Sequence, residues 1–247
     1  MNQIVLGSMA SLLAGLSTGL GALLIFFVRR VSEAFLDASL GFAAGVMLAA
    51  ISFSLLVPAL QHGGIWQTSA GMIMGALFLV YAERFIPHLH EVAGVKGPYT
   101  SLSRLWLFIF AIAIHNFPEG MAVGVGFGGG DPKAGTKLAI GIGLQNIPEG
   151  LAVALPLLRE KSTRLKAFTI ALCTGLVEPV GGFLGISIVS LGTFLLPYGL
   201  AFAAGAMLFV ISEEMIPETH SRGNDRKATI GIIAGFIIMM MLDTAFN

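Results

Sequence analysis

Charged residues are confined to short clusters along the chain, and long apolar stretches separate these clusters. The longest stretches are 4–28, 38–82 and 167–212. The first two contain no charged residue, and the last contains only Glu178. A membrane-spanning helix needs about 20 mostly apolar residues, so the two longer stretches must each fold back once. Turn residues mark the folds, from Gln61 to Gly64 in one stretch and around Pro197 in the other.

These patterns predict an all-α polytopic membrane protein with eight transmembrane helices. We predict helices at residues 4–28, 36–59, 65–86, 103–127, 135–158, 166–190, 199–217 and 228–246. The connections are short, so residues 1–247 form a single membrane domain without a separate soluble domain. The first helix has no basic residues before it and is too long for a signal peptide, so we expect it to be retained.

The composition agrees with a membrane protein. Hydrophobic residues make up 55% of the chain and charged residues 11%, against roughly 25% charged in soluble domains. The formal net charge is zero, which argues against nucleic acid as a partner. The single cysteine, Cys173, excludes a disulfide framework and a cysteine-based zinc cluster.

Basic residues predict the orientation. All 14 Lys and Arg residues except Lys133 and Lys137 belong to the connections that follow helices 1, 3, 5 and 7. Cytoplasmic connections are enriched in Lys and Arg. We therefore expect a multi-pass protein of the plasma (inner) membrane with both termini on the non-cytoplasmic side.

Two internal repeats join helices that cross the membrane in opposite directions. Residues 42–48, FAAGVML, recur as FAAGAML at 202–208, in predicted helices 2 and 7. The sequence Asn-x-Pro-Glu-Gly occurs at 116–120 and again at 146–150, in the adjacent helices 4 and 5. Inverted repeats are typical of secondary transporters, whose substrate sites lie near the membrane midplane.

Polar side chains at that depth form one candidate site. His115 and Glu119 are four residues apart and share a helix face, and Gln145 and Glu149 repeat this relation, with Asn146 beside them. The side chains predicted within about a turn of the midplane are Met47, His115, Glu119, Gln145, Glu149 and Glu178. Pro118 and Pro148 bend the helices, and the glycine after each glutamate permits close helix approach.

The residue types indicate that this site binds a transition-metal ion. Three carboxylates at one depth repel each other unless they are protonated or bound to cations, and divalent ions supply the missing charge. Imidazole, carboxylate and amide oxygen together suit Zn²⁺ and its first-row neighbours, whereas Ca²⁺ and Mg²⁺ prefer oxygen alone. The charge balance fits one or two metal ions, bound reversibly as transport requires.

A second set of residues lies toward the membrane surfaces. Glu83, His88 and His90 end helix 3 on the cytoplasmic side, and Glu213 and Glu214 end helix 7. They are candidates for a metal exit relay, although a solvated charge cluster explains them equally well. Asp243, near the outer end of helix 8, is either an entrance residue that attracts cations or a solvated terminal residue.

The motifs His-Asn-Phe-Pro-Glu-Gly at 115–120 and Gln-Asn-Ile-Pro-Glu-Gly at 145–150 closely resemble the paired motifs of the ZIP (Zrt/Irt-like) divalent-metal transporters, in their prokaryotic GufA-like branch. The resemblance implies eight helices, with helices 1–3 related to 6–8 around a central helix 4/5 pair. It also implies uptake into the cytoplasm by an elevator-like or rocking movement, often in a homodimer.

The resemblance further implies two metal positions. The first would be held by His115, Glu119, Gln145 and Glu149 with Met47 beside it; the second by Asn116, Asn146 and Glu178 with the shared Glu119 and Glu149. Asn146 departs from the Asp that several relatives carry, which weakens the charge balance of the second position.

The leading hypothesis is therefore a transporter, not an enzyme, that carries Zn²⁺ and as further candidates Fe²⁺, Mn²⁺ or Cd²⁺. One alternative is an intramembrane metal-dependent hydrolase, although the chain has no His-Glu-x-x-His pattern. The other is a proton- or sodium-coupled carrier of an organic solute, in which the glutamates bind protons.

Overall fold

A computed structural model describes residues 3–28, 31–85, 88–90, 94–96 and 104–246. Its helices are α1 (Gln3–Phe27), α2 (Glu33–Ala49), α3 (Val57–Phe85), α4 (Arg104–Gly128), α5 (Pro132–Arg159), α6 (Arg164–Gly175), α7 (Glu178–Ser190), α8 (Leu196–Val210), α9 (Ile216–His220) and α10 (Asp225–Ala245). Two π-helical segments, Ala50–Leu56 and Ile211–Met215, continue α2 and α8, and a short 3₁₀ turn, Thr193–Leu195, precedes α8.

The helical fold agrees with the all-α prediction, and one short hairpin lies in the connection after α3. Strands β1 (His88–His90) and β2 (Gly94–Lys96) pair antiparallel between α3 and α4, with His88 opposite Lys96. Only three residues separate the strands, a connection short enough for a hairpin.

Within the residues that the structure describes, seven helical stretches are long and apolar enough to cross a membrane, as in a multi-pass membrane protein. The longest runs from Glu33 to Phe85 over 53 residues. As a straight helix it would extend about 80 Å, well beyond a hydrocarbon core of about 30 Å. Gly64, with φ 68° and ψ −175°, interrupts it, which confirms the predicted turn at that place.

Three predicted helices are divided in the structure, and the π-helical segment Ala50–Leu56 divides the one predicted at 36–59. The helix predicted at 166–190 breaks after Gly175, and α7 begins at Glu178 with Pro179 in its first turn. The helix predicted at 199–217 already begins at Leu196 and changes to π-helical geometry after Val210. Proline lacks an amide donor and is favoured in the first turn of a helix, which accounts for the break before Pro179.

The helices pack as two groups. The site group comprises α1, α4, α5, α6 and α7, which contact one another directly. The flanking group comprises the α2/α10 and α3/α8 pairs, which the π-helical segments and α9 connect; α2 also contacts α5 of the site group, and α8 contacts α4. Within each group, glycines bring backbones into contact. A Cβ on Gly150 would lie 1.9 Å from the Thr18 carbonyl oxygen of α1, and one on Gly75 would lie 2.0 Å from that of Phe202 in α8. Small residues at such crossings are typical of membrane helices.

Polar contacts show which connections share an end of the bundle. Arg164 donates to the Phe26 carbonyl oxygen at 2.9 Å, and Arg222 donates to Asp37 at 2.7 Å. These contacts bring the basic connections after α1, α5 and α9 to one end, which we call the basic end. Burial lowers the pKa of Arg222, but its carboxylate partners outweigh this effect and raise the pKa above the usual value.

Candidate metal centre

The α4 motif places three polar side chains inside the bundle. Asn116 and Glu119 are buried, with 0% and 1% of their surface exposed, and the His115 side chain is 11% exposed. Pro118 lies inside the same helix and removes one backbone donor from it. Gly120 then allows the α7 backbone to approach, because a Cβ there would lie 2.0 Å from the Glu178 carbonyl oxygen.

The α5 motif faces the α4 motif. Gln145, Asn146 and Glu149 are all buried. The Gln145 side-chain amide donates to Glu119 Oε1 at 2.8 Å, which links the two motifs directly. The predicted neighbourhood of these two helices is therefore confirmed at the level of side-chain contacts.

Glu178 joins the cluster from the first residue of α7. Asn146 Nδ2 donates to Glu178 Oε1 at 2.6 Å and to the Ala14 carbonyl oxygen of α1 at 2.8 Å. Ser11 Oγ donates to the Glu178 carbonyl oxygen at 2.8 Å and so pairs a backbone group at the break between α6 and α7. Four helices, α1, α4, α5 and α7, thus converge here.

The cluster contains an unusual number of buried polar atoms without a hydrogen-bond partner among the described residues. They are Asn116 Nδ2 and Oδ1, Glu119 Oε2, Gln145 Oε1, Asn146 Oδ1, Glu149 Oε1 and Glu178 Oε2. All but one are oxygens. An unpaired buried acceptor costs about 1–3 kcal/mol, and more when it is charged. A set of such oxygens is chemically suited to a cation.

A narrow cavity leads from this cluster toward the basic end. Its polar lining consists of His115, Glu119, Glu149, Glu214 and Glu218. His115 Nε2 lies 2.9 Å from Glu214 Oε2, so the second π-helical segment closes directly on the α4 motif. The cavity has room for a water-sized guest beside these carboxylates.

The side chains are not arranged as a ready coordination shell. Among the described residues, no three His, Cys, Asp or Glu side chains converge closely enough to hold a metal. Instead, Glu119, Glu178 and His115 each contact another side chain. Metal coordination therefore requires these three side chains to lose their present contacts. It also requires the amides of Gln145 and Asn146 to rotate so that their oxygens, rather than their nitrogens, face the metal ion.

Comparison with known sequences decides the family. A sequence model described as "ZIP Zinc transporter" matches residues 95–243. The chain belongs to the ZIP zinc transporter family. The predicted family is thereby confirmed, and because this family consists of transporters, the hydrolase alternative is not favoured.

Individual members of the ZIP family are similar over nearly the whole chain. The zinc transporter GufA of Myxococcus xanthus is 44% identical, covering 98% of this chain and 99% of the relative. Zinc transporter ZIPB of Bordetella bronchiseptica is 43% identical, covering 98% and 81%. Human zinc transporter ZIP11 is 34% identical, covering 93% and 94%.

Two of the other predicted residues, Met47 and Glu83, are buried. Met47 is 1% exposed and packs in the main hydrophobic core, and it does not line the cavity described above. Glu83 is buried near the end of α3, and Glu213 is exposed beside Glu214. The side chains of His88 and His90 lie outside the described part of the structure.

Three residues near the site were missed by the sequence analysis. Glu218 lines the cavity one turn beyond Glu214, and this four-residue spacing was a signal in the sequence. Lys137 lies within the helix predicted at 135–158, and the structure buries it in α5 against Asp243. Ser54 hydrogen-bonds to Asp243 as well. No local pattern marked the last two, because their partner is distant in the chain.

Proposed function

We propose that this protein carries Zn²⁺ through the membrane into the cytoplasm, by way of the carboxylate cluster of α4, α5 and α7. The observation that carries the proposal is the set of unpaired buried oxygens contributed by Glu119, Glu149, Glu178 and the neighbouring amides. A divalent cation supplies the charge that this apolar setting lacks. The names of the similar transporters specify zinc.

The donor set fits one or two zinc ions. In the first position, Zn²⁺ takes the imidazole of His115, carboxylate oxygens of Glu119 and Glu149, and the Gln145 amide oxygen. In the second, Glu178 and the amide oxygens of Asn116 and Asn146 join the shared carboxylates. Zn²⁺ commonly accepts such mixed nitrogen and oxygen ligands. Fe²⁺, Mn²⁺ and Cd²⁺ are further substrates under this proposal, since similar donors accommodate neighbouring metals.

We further propose eight membrane spans in an inverted repeat. Dividing the 53-residue stretch at Gly64 gives the eighth span. The repeats at 42–48 and 202–208 supply support, because each precedes a π-helical segment, Ala50–Leu56 or Ile211–Met215. The pairing of α2 with α10 and of α3 with α8 agrees with such a relation. By the distribution of Lys and Arg, the basic end is cytoplasmic and both termini lie outside.

Transport then follows from movement of the site group against the flanking group. Backbone contacts through glycine hold each group together, whereas a glycine at their boundary, Gly141, meets the flexible side chain of Met239. Release of the His115–Glu214 contact opens the cavity toward the cytoplasm. Glu214 and Glu213 then receive the ion, with Glu83, His88 and His90 farther along the exit. Assembly as a homodimer in the plasma membrane stays a prediction from the family.

The proposal is tested by zinc flux into proteoliposomes. We expect flux with the wild-type protein and its loss in His115→Ala and in Glu149→Ala. Glu160→Ala is the matched control, because it removes an exposed carboxylate beyond the end of α5. Undiminished flux in both site variants would contradict the proposal. Running the assay with a panel of divalent ions, with organic solutes, and with or without a proton gradient separates metal transport from the solute-carrier alternative.

A further inference from the structure

A buried ion pair joins the two helix groups at the end of the bundle opposite the basic end. Lys137 Nζ of α5 lies 2.7 Å from Asp243 Oδ1 of α10, and Ser54 Oγ donates to the same oxygen at 2.8 Å. All three residues are less than 9% exposed. Lys137 belongs to the site group and its two partners belong to the flanking group. The contact therefore connects the parts that transport would move.

Lys137 lies on the same side of α5 as the candidate metal ligands. Lys137, Gly141, Gln145 and Glu149 follow each other at four-residue spacing, and all four are buried. With a rise of 1.5 Å per residue, Lys137 lies about 12 Å along the helix axis from Gln145. The ion pair is thus positioned over the metal centre, on the proposed outer side.

A thioether fills the layer between the ion pair and the metal centre. Met239 lies one turn before Asp243 in α10 and is 1% exposed. A Cβ on Gly141 would lie 2.6 Å from the Met239 sulfur, so this sulfur occupies the space beside Gly141. The ion pair and Met239 form two successive layers of one seam. This seam separates the carboxylate cluster from the outer end.

The two repeats place equivalent residues at opposite ends of this route. Ser54 and Glu214 are each twelve residues after the start of their repeat, at Phe42 and Phe202. Ser54 meets the Lys137–Asp243 pair, whereas Glu214 meets His115 on the side of the basic end. Each π-helical segment thus supplies one polar contact between the helix groups.

We propose that Lys137 is a built-in cation that competes with the transported metal ion for Asp243, and that the Lys137–Asp243 pair is the outer gate. This inference rests on the proposed direction of transport. With the pair formed, the outer route is closed. When the site group moves and withdraws Lys137, the Asp243 carboxylate faces the outer side and attracts a divalent cation. Return of the ammonium group displaces that cation inward, because a buried carboxylate requires a cationic partner.

The test uses a reporter cysteine in the seam. Met239→Cys is introduced together with Cys173→Ser, and a membrane-impermeant thiol reagent is applied from outside to right-side-out vesicles. We expect slow labelling with Lys137 in place and about tenfold faster labelling in Lys137→Met, which corresponds to about 1.4 kcal/mol of lost preference for the closed state. Lys137→Arg retains the charge and should stay protected.

Lys133→Met is the matched control. It removes an exposed lysine one turn earlier in the same helix, and labelling should not change. Exchanging the charges, with Lys137→Asp and Asp243→Lys together, should restore protection. Equal labelling of Lys137→Met and the Lys133→Met control would overturn the proposal. Fast labelling of the exchanged protein would do so too, because the pair would then be only a packing contact.

Competition for Asp243 has its own readout. External Zn²⁺ should slow the labelling of Lys137→Met, and this protection should disappear when Asp243→Asn is added. Absence of zinc protection in Lys137→Met would refute the competition. Labelling does not require net transport, so a failure of the proposed function appears separately, as absence of zinc flux in the wild-type protein.

Discussion

Gly150→Ala is the substitution that most sharply tests how the metal centre is built. Its new Cβ would lie 1.9 Å from the Thr18 carbonyl oxygen, whereas ordinary contact begins near 3.4 Å. Helices α1 and α5 must therefore separate by about 1.5 Å. The hydrogen bond from Asn146 to the Ala14 carbonyl oxygen, 2.8 Å long and one turn away, would then exceed the usual limit of about 3.2 Å.

The magnitude follows from opposing effects. Overpacking costs typically 1–3 kcal/mol, and replacing a helical glycine by alanine returns up to about 1 kcal/mol of helix propensity. We expect a net cost of about 1–2 kcal/mol, which lowers the unfolding temperature in detergent by about 2–8 °C, at roughly 2–4 °C per kcal/mol for a chain of this size. Zinc flux should fall at least about tenfold, because metal ligands tolerate displacements of only about 0.2 Å.

The control for this prediction is in the same helix. A Cβ on Gly143 would lie 3.2 Å from Ser17 Oγ, a side-chain atom that can rotate away, so Gly143→Ala should keep both stability and flux. Both variants are compared by thermal unfolding and by proteoliposome flux. If Gly150→Ala matches Gly143→Ala in both assays, the close α1–α5 contact does not position the metal ligands.

Three further predictions concern charged and polar contacts. Asn146→Asp replaces the amide that donates to Glu178 with a second negative charge. The unfolding temperature should therefore fall by several degrees in a buffer with chelator and recover when Zn²⁺ is added; equal unfolding temperatures in both buffers would contradict this. Arg222→Ala leaves the buried Asp37 without its ion-pair partner and should cost about 3–5 kcal/mol, measured as a lower unfolding temperature. Arg159→Ala removes an exposed pair of 3.6 Å and should change stability by less than about 1 kcal/mol in the same assay.

The central cluster was predictable because two strong physical constraints act together. Helical periodicity aligns His115 with Glu119 and Gln145 with Glu149. Because a charged side chain inside the membrane is energetically costly, we expect these side chains to belong to one binding site. The structure brings Glu119 and Gln145 into contact as expected. The sequence did not indicate the hydrogen bonds that these side chains form before a metal ion binds, because the amide of Asn146 has several partners within reach.

Long-range pairings account for most of what was missed. The burial of Lys137 depends on Asp243, more than 100 residues later, and a single sequence contains no signal that connects them. The π-helical geometry around Ser54 and Glu214 likewise depends on packing against other helices. By contrast, the break before Glu178 had a local signal in Pro179, whose position in the first turn could have been used.

Equilibrium zinc binding to the purified protein in detergent tests the central claim most directly. Glu119→Gln keeps the size of a side chain that the cluster surrounds and removes only its charge. We predict that zinc affinity falls at least about a hundredfold relative to wild type, while Glu160→Gln binds as wild type does. Equal zinc affinity in Glu119→Gln and wild type would contradict the account, because the metal would then bind without the buried carboxylates.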